Sequence, residues 1–273
     1  MKKLLIFGLG YSAQRLAAKC AAQGYEIIGT GQTARAGVLA LDDPALVQHI
    51  ATASHILSSV PPTRGSGEDA VLARYSTALA QSRAWLGYLS STGVYGDCGG
   101  AWVDESAPTG GGRRDARTSA DAAWQALRPD VRIFRLPGIY GPGRSAVDRV
   151  LAGERQRVLA PGHVFSRIHV DDIAQTVMAA MHSPATGIFN VADGQPTPGA
   201  EVTAYACQLL GLTPEPLTPL DQAALSPMAR GFYSECRRVA ARRLARDLGI
   251  RLLYPDYRAG LRACLTEITK KSQ

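Results

Sequence analysis

The chain has 273 residues, a net charge of +7, a pI of about 9.3 and 46% hydrophobic residues, which is typical of a folded globular protein. No apolar run approaches the roughly 20 residues that a membrane helix needs. The five cysteines are odd in number and form no C-x-x-C pair, which argues against a disulfide framework or a zinc site. We therefore expect a cytoplasmic protein with reduced thiols, no metal and no membrane partner.

Short apolar runs typical of strands alternate with runs typical of helices. Although two lysines precede the first apolar run, its glycines favour a buried strand over a signal peptide. Because helices separate most of the strands, we predict a doubly wound parallel α/β sheet of the Rossmann type. The predicted elements are the strand KKLLIFG, the helix AQRLAAKCAAQ, the strands YEIIGT and GVLALDD, the helix PALVQHIA, the strand SHILSSV, the helix AVLARYSTALAQS, the strand WLGYLSST, the helix ADAAWQAL and a sixth strand, VRIFRLPG.

A glycine-rich turn follows the first predicted strand and opens the first helix. Gly8, Gly10 and Ala13 form G-x-G-x-x-A, in which Gly8 permits a tight turn and Gly10 lets a pyrophosphate approach the backbone. The helix N-terminus then offers N–H groups to the phosphates. We predict dinucleotide binding here and include Tyr11 and Ser12 among the binding residues; the alternative is a plain tight turn.

The end of the second predicted strand indicates which cofactor is bound. An acidic residue at this place would bind the ribose of NAD, but the segment IIGTGQTAR contains no carboxylate. Thr30 occupies the usual position, and Arg35 lies close enough to meet a 2′-phosphate, which favours NADP and leaves NAD open. The alternative is that Arg35 is only a solvated loop residue. Asp42 either faces the adenine amine or caps the next helix.

Further segments extend this pattern along the chain: SSTGVYG, RLPGIYGPGR, and RIHVDDIA followed by FNVADG. With GLGYSA at the start, they make the chain resemble an extended short-chain dehydrogenase/reductase of the NAD-dependent epimerase/dehydratase type, in its atypical branch. The resemblance implies a dinucleotide-binding domain of residues 1–140 with 168–192. It also implies a smaller C-terminal substrate lobe of residues 141–167 with 193–273, and a possible homodimer.

In this family a hydroxyl at the end of the fifth strand orients the substrate, and Ser91 occupies that position here. A catalytic Tyr-x-x-x-Lys follows about 25 residues later. Counting forward from Ser91 and back from AAWQAL places these positions at Ala116 and Ala120. A phenol with an ordinary pKa of about 10 needs the lysine to become more acidic. The resemblance therefore implies that the usual proton relay is missing.

Three interpretations follow from this absence. Tyr95 or Tyr140 could replace the missing phenol as a catalytic group, although in related motifs both commonly pack as aromatic loop residues. The substrate could supply its own acidic group. Alternatively, the protein binds NADP without turnover, as a regulator or scaffold.

The resemblance also supplies candidates around the site. Arg144 and Arg167 are expected to hold a phosphate or carboxylate of the substrate, Thr92 joins them, and Ser58 and Pro137 are further cofactor-binding candidates. His169 is expected to be structural rather than a general acid, with Asp171 and Asp172 capping the next helix. The remaining candidates are Glu105, an acidic loop residue or a cap, and Arg113, Arg114 and Arg117, which could bind an anion or be solvated.

Taken together, these features predict an NADP-linked oxidoreductase, epimerase or dehydratase-like enzyme acting on a small polar molecule, such as a nucleotide sugar. The basic segment ECRRVAARRLARDLGIR predicts an amphipathic helix with its arginines on one face and Val239, Leu244 and Leu248 on the other. Without an accompanying nucleic-acid motif, we expect a solvated face and no nucleic-acid partner.

Overall fold

The computed structural model describes residues 2–63, 66–112 and 115–271. Its strands are β1 (Lys3–Phe7), β2 (Glu26–Gly31), β3 (Val38–Ala40), β4 (His55–Ser58), β5 (Trp85–Ser91), β6 (Trp102–Val103), β7 (Arg132–Leu136), β8 (Gly138–Tyr140), β9 (Arg157–Leu159), β10 (Arg167–His169), β11 (Gly187–Asn190), β12 (Leu217–Pro219) and β13 (Arg238–Val239). Its helices are α1 (Tyr11–Ala22), α2 (Ala45–Thr52), α3 (Ala70–Gln81), α4 (Asp115–Leu127), α5 (Ala146–Leu151), α6 (Val170–Met181), α7 (Gly199–Leu209), α8 (Pro227–Gly231), α9 (Arg242–Leu248) and α10 (Tyr257–Lys271). Two short 3₁₀ helices span Thr92–Tyr95 and Phe232–Ser234.

Seven strands form one parallel sheet in the order β11-β7-β5-β4-β1-β2-β3. The chain runs outward from β1 to β3, then crosses back so that β4 pairs with the other side of β1. This reversal creates the crevice between strand ends in which such folds bind ligands. The predicted Rossmann-type class and its six strands are confirmed. The seventh sheet strand, β11, was not predicted, because GIFN is too short to show a pattern.

Helices cover both faces of the sheet because successive strand residues point to opposite sides. In β1, Leu4 and Ile6 join the core beneath α1 and α6, whereas Leu5 and Phe7 join the core beneath α2, α3 and α4. All four are fully buried. An almost unbroken apolar strand is therefore what a sheet covered on both faces requires.

A further core lies among α5, α7 and α10, where Val147, Val150, Ala206 and Leu261 are buried together. These residues fall within the predicted lobe. Helix α9, in contrast, packs against α6 and β11 of the sheet-bearing body. The proposed division at residues 141–167 and 193–273 stays a prediction.

A buried ion pair joins α4 to β7. Arg135 donates to Asp121 twice, from Nη2 to Oδ1 over 2.7 Å and from Nε to Oδ2 over 3.1 Å, and both side chains are 2% exposed. The Ser90 hydroxyl also donates to this carboxylate. Arg135 Nη1 donates to the Tyr95 hydroxyl, which donates to Asn190 Oδ1 over 2.7 Å. One network thus connects β5, α4, β7, β11 and the first 3₁₀ helix.

The prediction of one amphipathic helix over the basic segment is wrong. Val239 belongs to β13, which pairs with β6, and only α9 is helical. The Arg237 and Arg238 guanidinium groups donate to the carbonyls of Gly96 and Gly100, so they stabilise the loops after β5. These contacts to distant carbonyls require an extended segment, and sequence periodicity does not report such partners.

Within the described part of the chain, no helix combines the length and the apolarity needed to span a bilayer. The five cysteines are all free.

We expect Asp121→Asn to destabilise the fold by about 3 kcal/mol or more, because breaking a buried pair leaves the Arg135 charge uncompensated. Urea unfolding followed by circular dichroism measures this loss. The matched control is Glu26→Gln, which removes a partly exposed ion pair with Lys3 and should cost less than about 1 kcal/mol. Equal losses in the two variants would show that the buried pair is not a special source of stability.

Candidate cofactor and substrate site

The turn after β1 has the geometry of a phosphate-binding loop. Gly8 has φ +83°, and a Cβ there would lie 2.9 Å from Val60 Cγ2, so both conformation and space require glycine. A Cβ at Gly10 would meet nothing within 4 Å, which leaves open space beside the backbone. Gly10 is the N-cap of α1 and supplies no side-chain cap. These features fit a dinucleotide pyrophosphate.

Thr30 supports the loop from the end of β2. Its Oγ1 accepts from the Gly8 N–H over 3.1 Å, and its carbonyl accepts from the Leu9 N–H over 2.7 Å. Thr30 is 1% exposed, so its hydroxyl holds the turn rather than facing solvent. Arg35 is exposed just beyond β2. Asp42 is also exposed, whereas the side chain that accepts at the start of α2 is Asp43, from the Ala45 N–H.

The other predicted cofactor residues lie around this loop. Ser12 and Ala13 both lie in the first turn of α1, where Ala13 is 1% exposed and Ser12 is half-buried. The Tyr11 hydroxyl donates to the Pro142 carbonyl over 3.1 Å, and burial raises the pKa of Tyr11 to about 12. Ser58, at the end of β4, is fully buried, and its Oγ has no hydrogen-bond partner in the described residues. This hydroxyl lies on β4 beside Phe7 of β1, the strand that bears the loop.

A cavity of about 1120 Å³ opens at the carboxyl ends of β5 and β7. It extends between the sheet and the α5–α7–α10 core. The predicted residues that line it are Ser91, Thr92, Arg117, Pro137, Tyr140, Arg144 and Arg167. Residues that no sequence pattern singled out also line it, among them Arg149, Phe165 and Tyr233.

Ser91 ends β5 at the rim of this cavity. Its Oγ accepts from the Gly93 N–H over 3.1 Å and so caps the first 3₁₀ helix. The hydroxyl hydrogen is left to donate to a ligand in the cavity. Thr92 follows it and is 5% exposed.

The two candidate tyrosines are both occupied by structural contacts. Tyr95 does not line the cavity, because its hydroxyl lies in the network with Arg135 and Asn190. Tyr140 lines the cavity, yet its hydroxyl donates to the Asp256 carbonyl over 3.4 Å, and a Cβ at Gly260 would overlap it. Burial raises the pKa of both phenols, the opposite of what a proton-exchanging tyrosine needs.

Neither alanine assigned to the Tyr and Lys positions lies on the cavity. Ala120 is buried with Tyr88 and Trp124 in the core beneath α4, and Ala116 packs close to Gly67. The α4 residue that lines the cavity is Arg117. The predicted anion ligands Arg113 and Arg114 lie outside the described residues.

Two arginines predicted to bind substrate take different positions. Arg144 is exposed at the rim, with Cζ 5.7 Å from the Tyr11 ring centroid. Arg167 donates from Nη1 to the carbonyls of Phe165 and Thr197 over 2.8 and 2.9 Å. Burial lowers the pKa of Arg167 to about 10.

The β10–α6 corner is structural, as expected for His169. Its Nδ1 accepts from the Asp171 N–H over 3.2 Å, so His169 rather than Asp171 or Asp172 caps α6. Asp172 instead accepts from the N–H groups of Leu253 and Tyr254. Glu105 likewise has a structural partner, because its Oε1 accepts from the Asn190 N–H over 2.9 Å. The described residues include no group of three or more His, Cys, Asp or Glu arranged to hold a metal ion.

Comparison with known proteins identifies the family of this chain. No family model matches the chain. A 3-diazoavenalumate denitrifying reductase from Streptomyces is 30% identical over 244 residues, which is 80% of this chain and 79% of the relative. The chain belongs to the extended short-chain dehydrogenase/reductase family. The resemblance predicted from the motifs is thereby confirmed.

Several solved structures with the same fold align with almost the whole of this chain. A protein of unknown function from Silicibacter pomeroyi is 44% identical, with a TM-score of 0.88 over 98% of this chain and 99% of that one. The human epimerase family protein SDR39U1, solved with NADPH, has a TM-score of 0.75 at 18% identity over 96% and 99% of the two chains. A dTDP-glucose 4,6-dehydratase from Bacillus anthracis, in complex with NAD, has a TM-score of 0.76 at 16% identity over 99% and 97%. These last two show the shared fold.

We expect the stability that neutral His169 contributes to decrease as the pH is lowered. Burial lowers its pKa from 6.5 to about 4, so the unfolded state binds the proton first. The contribution is complete above pH 6.5 and is lost as the pH falls towards 4, by about 3 kcal/mol. His169→Asn retains an acceptor for the Asp171 N–H but cannot titrate.

The difference in unfolding free energy between wild type and His169→Asn should therefore shrink, or change sign, between neutral and acidic pH. Denaturant unfolding across this range measures it, and carboxylate titrations common to both proteins cancel. A difference independent of pH would show that His169 is not held neutral by burial.

Proposed function

We propose that the chain is an NADP(H)-dependent oxidoreductase that reduces a small polar substrate. The observation that supports this proposal best is the shared cavity of Ser91 and Arg117, beside a glycine-rich loop shaped for a dinucleotide. A hydroxyl donor and a fixed cation together can stabilise negative charge that develops on a substrate.

The chain's own residues fit the cofactor. The open space over Gly10 and the amides of α1 would hold the pyrophosphate. Exposed Arg35 would bind a 2′-phosphate, and no carboxylate stands at the end of β2 to favour the free ribose of NAD. When bound, the cofactor supplies a hydride.

The protein residues divide the remaining tasks. Ser91 donates a hydrogen bond to the reacting polar group of the substrate, and Arg117 provides the positive charge that the family normally obtains from lysine. The proton that completes the reduction after hydride addition comes from water. No tyrosine of the sequence precedes a lysine by four residues, and Tyr95 and Tyr140 are held by other groups. The site therefore favours a reduction that needs no tyrosine proton relay over epimerisation, which needs reversible removal of an alcohol proton.

The Streptomyces relative supports this choice, since its name describes a reductase. The second candidate is a regulator that binds NADP without turnover. The absence of an activated phenol favours it, and turnover assays distinguish the two.

We expect Arg35→Ala to weaken NADPH binding by about tenfold, since one charge-assisted contact to phosphate contributes about 1.4 kcal/mol. NADH binding should stay within about twofold, because NADH lacks the 2′-phosphate. Isothermal titration calorimetry measures both affinities, with exposed Arg74→Ala on α3 as the matched control. Equal weakening of NADPH and NADH would contradict a role for Arg35 in cofactor choice.

We expect Ser91→Ala to slow NADPH oxidation by about a hundredfold, the typical effect of losing one donor to a developing negative charge. The assay follows nicotinamide absorbance with 3-diazoavenalumate as the test substrate. Cofactor affinity should be unchanged, because Ser91 lies in the substrate cavity. Wild-type NADPH binding with no oxidation of this probe or of a wider carbonyl panel would favour the regulator.

A further inference from the structure

Arg167 is a largely buried cation that makes no ion pair within 4.0 Å among the described residues, and the carboxylate that attracts it most is that of Asp193. It begins β10 and lines the cavity. Its hydrogen bonds are both made by Nη1, to the carbonyls of Phe165 and Thr197. Within the described part of the chain, Nε and Nη2 of Arg167 donate to no protein acceptor. A buried guanidinium with free donors beside a cavity is poised to receive an anionic ligand.

An aromatic wall stands next to this cation. Phe165 and Tyr233 pack edge to face, with ring centroids 5.3 Å apart, and both line the cavity. The His163 ring supports them at 4.6 Å from Phe165 and 5.1 Å from Tyr233. The Arg167 guanidinium carbon lies 5.7 Å from the Phe165 ring centroid. The wall and the cation therefore form one continuous surface.

The surrounding charge favours the same kind of ligand. The acidic residues that line the cavity are Glu154, Glu215 and Glu235, and Glu235 is 3.2 Å from Arg237 in an ion pair. The lining arginines outnumber them; they are Arg117, Arg144, Arg149, Arg155, Arg167 and Arg237. The cavity thus has a positive lining around the aromatic wall.

We propose that Phe165, Tyr233 and Arg167 form a subsite for an aromatic carboxylate, the substrate class of the reductase proposed above. The ring of the ligand packs on Phe165 and Tyr233, where aromatic pairs gain from offset or edge-to-face contact. Its carboxylate accepts from Nε and Nη2 of Arg167, the two-point geometry that guanidinium offers and ammonium does not. This inference rests on the proposed function for the reaction itself.

The short distance between the Phe165 ring and the Arg167 guanidinium favours an aromatic carboxylate over a nucleotide sugar. In a nucleotide the ribose lies between the base and the phosphates. In an aromatic carboxylate the charge follows the ring directly or through a short chain. With the Arg167 guanidinium carbon only 5.7 Å from the Phe165 ring centroid, the shorter arrangement fits the surface better.

The test is calorimetric binding to the NADPH-loaded protein. The probes are 4-hydroxycinnamate, its uncharged amide, the ring-saturated cyclohexanepropionate, and UDP-glucose. We expect 4-hydroxycinnamate to bind, and the amide and the saturated acid each to bind at least about tenfold more weakly, since each lacks one of the two recognised groups.

Variants assign the binding to the subsite. Arg167→Lys keeps the charge but loses the two-point contact, and it should weaken 4-hydroxycinnamate binding by about tenfold. Tyr233→Leu should weaken it by several-fold through loss of the ring contact. Exposed Arg83→Ala and Trp102→Leu are the matched controls outside the cavity, and thermal unfolding confirms that each variant is folded.

The outcomes separate this inference from the proposed function. Failure of NADPH itself to bind overturns the proposed function. Tight NADPH binding with no affinity for 4-hydroxycinnamate, or equal affinity for its amide, overturns the aromatic carboxylate subsite alone. Tighter binding of UDP-glucose that depends on Arg167 would reassign the subsite to a nucleotide sugar.

Discussion

The ion pair between Asp121 and Arg135 is the constraint on which the site depends. Two side chains that are each 2% exposed can remain charged only when they face one another and their other polar atoms have partners. Ser90, Tyr95 and Gln125 supply those partners from β5, the first 3₁₀ helix and α4. The carboxyl end of β5 is consequently fixed against α4 and β7. This arrangement holds Ser91 at the cavity while Ser90 points into the protein.

The same network engages one of the two candidate phenols, and α10 engages the other. Tyr95 follows Ser91 closely in sequence, but the 3₁₀ helix turns its hydroxyl towards Arg135 and Asn190. Tyr140 is held from the other side by α10, whose Gly260 leaves room for its hydroxyl. Six guanidinium groups line the cavity, together with three glutamates and hydroxyl groups that include that of Ser91. The excess of cations suits this lining to the stabilisation of negative charge.

Sequence patterns predicted the sheet well because buried parallel strands require apolar runs and the glycine turn requires particular φ angles. They failed where position depends on distant partners. β11 has only four residues, and the arginines of the 237–238 segment bind loop carbonyls in place of forming a helix face. At the site, the assignment of the Tyr and Lys positions to Ala116 and Ala120 stays a prediction, because spacing alone does not show which face of α4 meets the cavity. Phe165 and Tyr233 are isolated aromatic residues in sequence, and only the fold brings their rings together.

The excess positive charge has a structural explanation that does not require nucleic acid. Arg128 donates to the carbonyls of Ser82 and Ala84, and Arg243 donates to that of Ile188, so these arginines join segments of the body through backbone acceptors. A second set lines the cavity, where Arg167 retains unpaired donors. Guanidinium suits both positions because it remains charged when partly buried and donates in several directions. The arginines are therefore divided between holding segments of the body in place and lining the cavity, where the proposed subsite would use them, and neither use requires an extended basic surface.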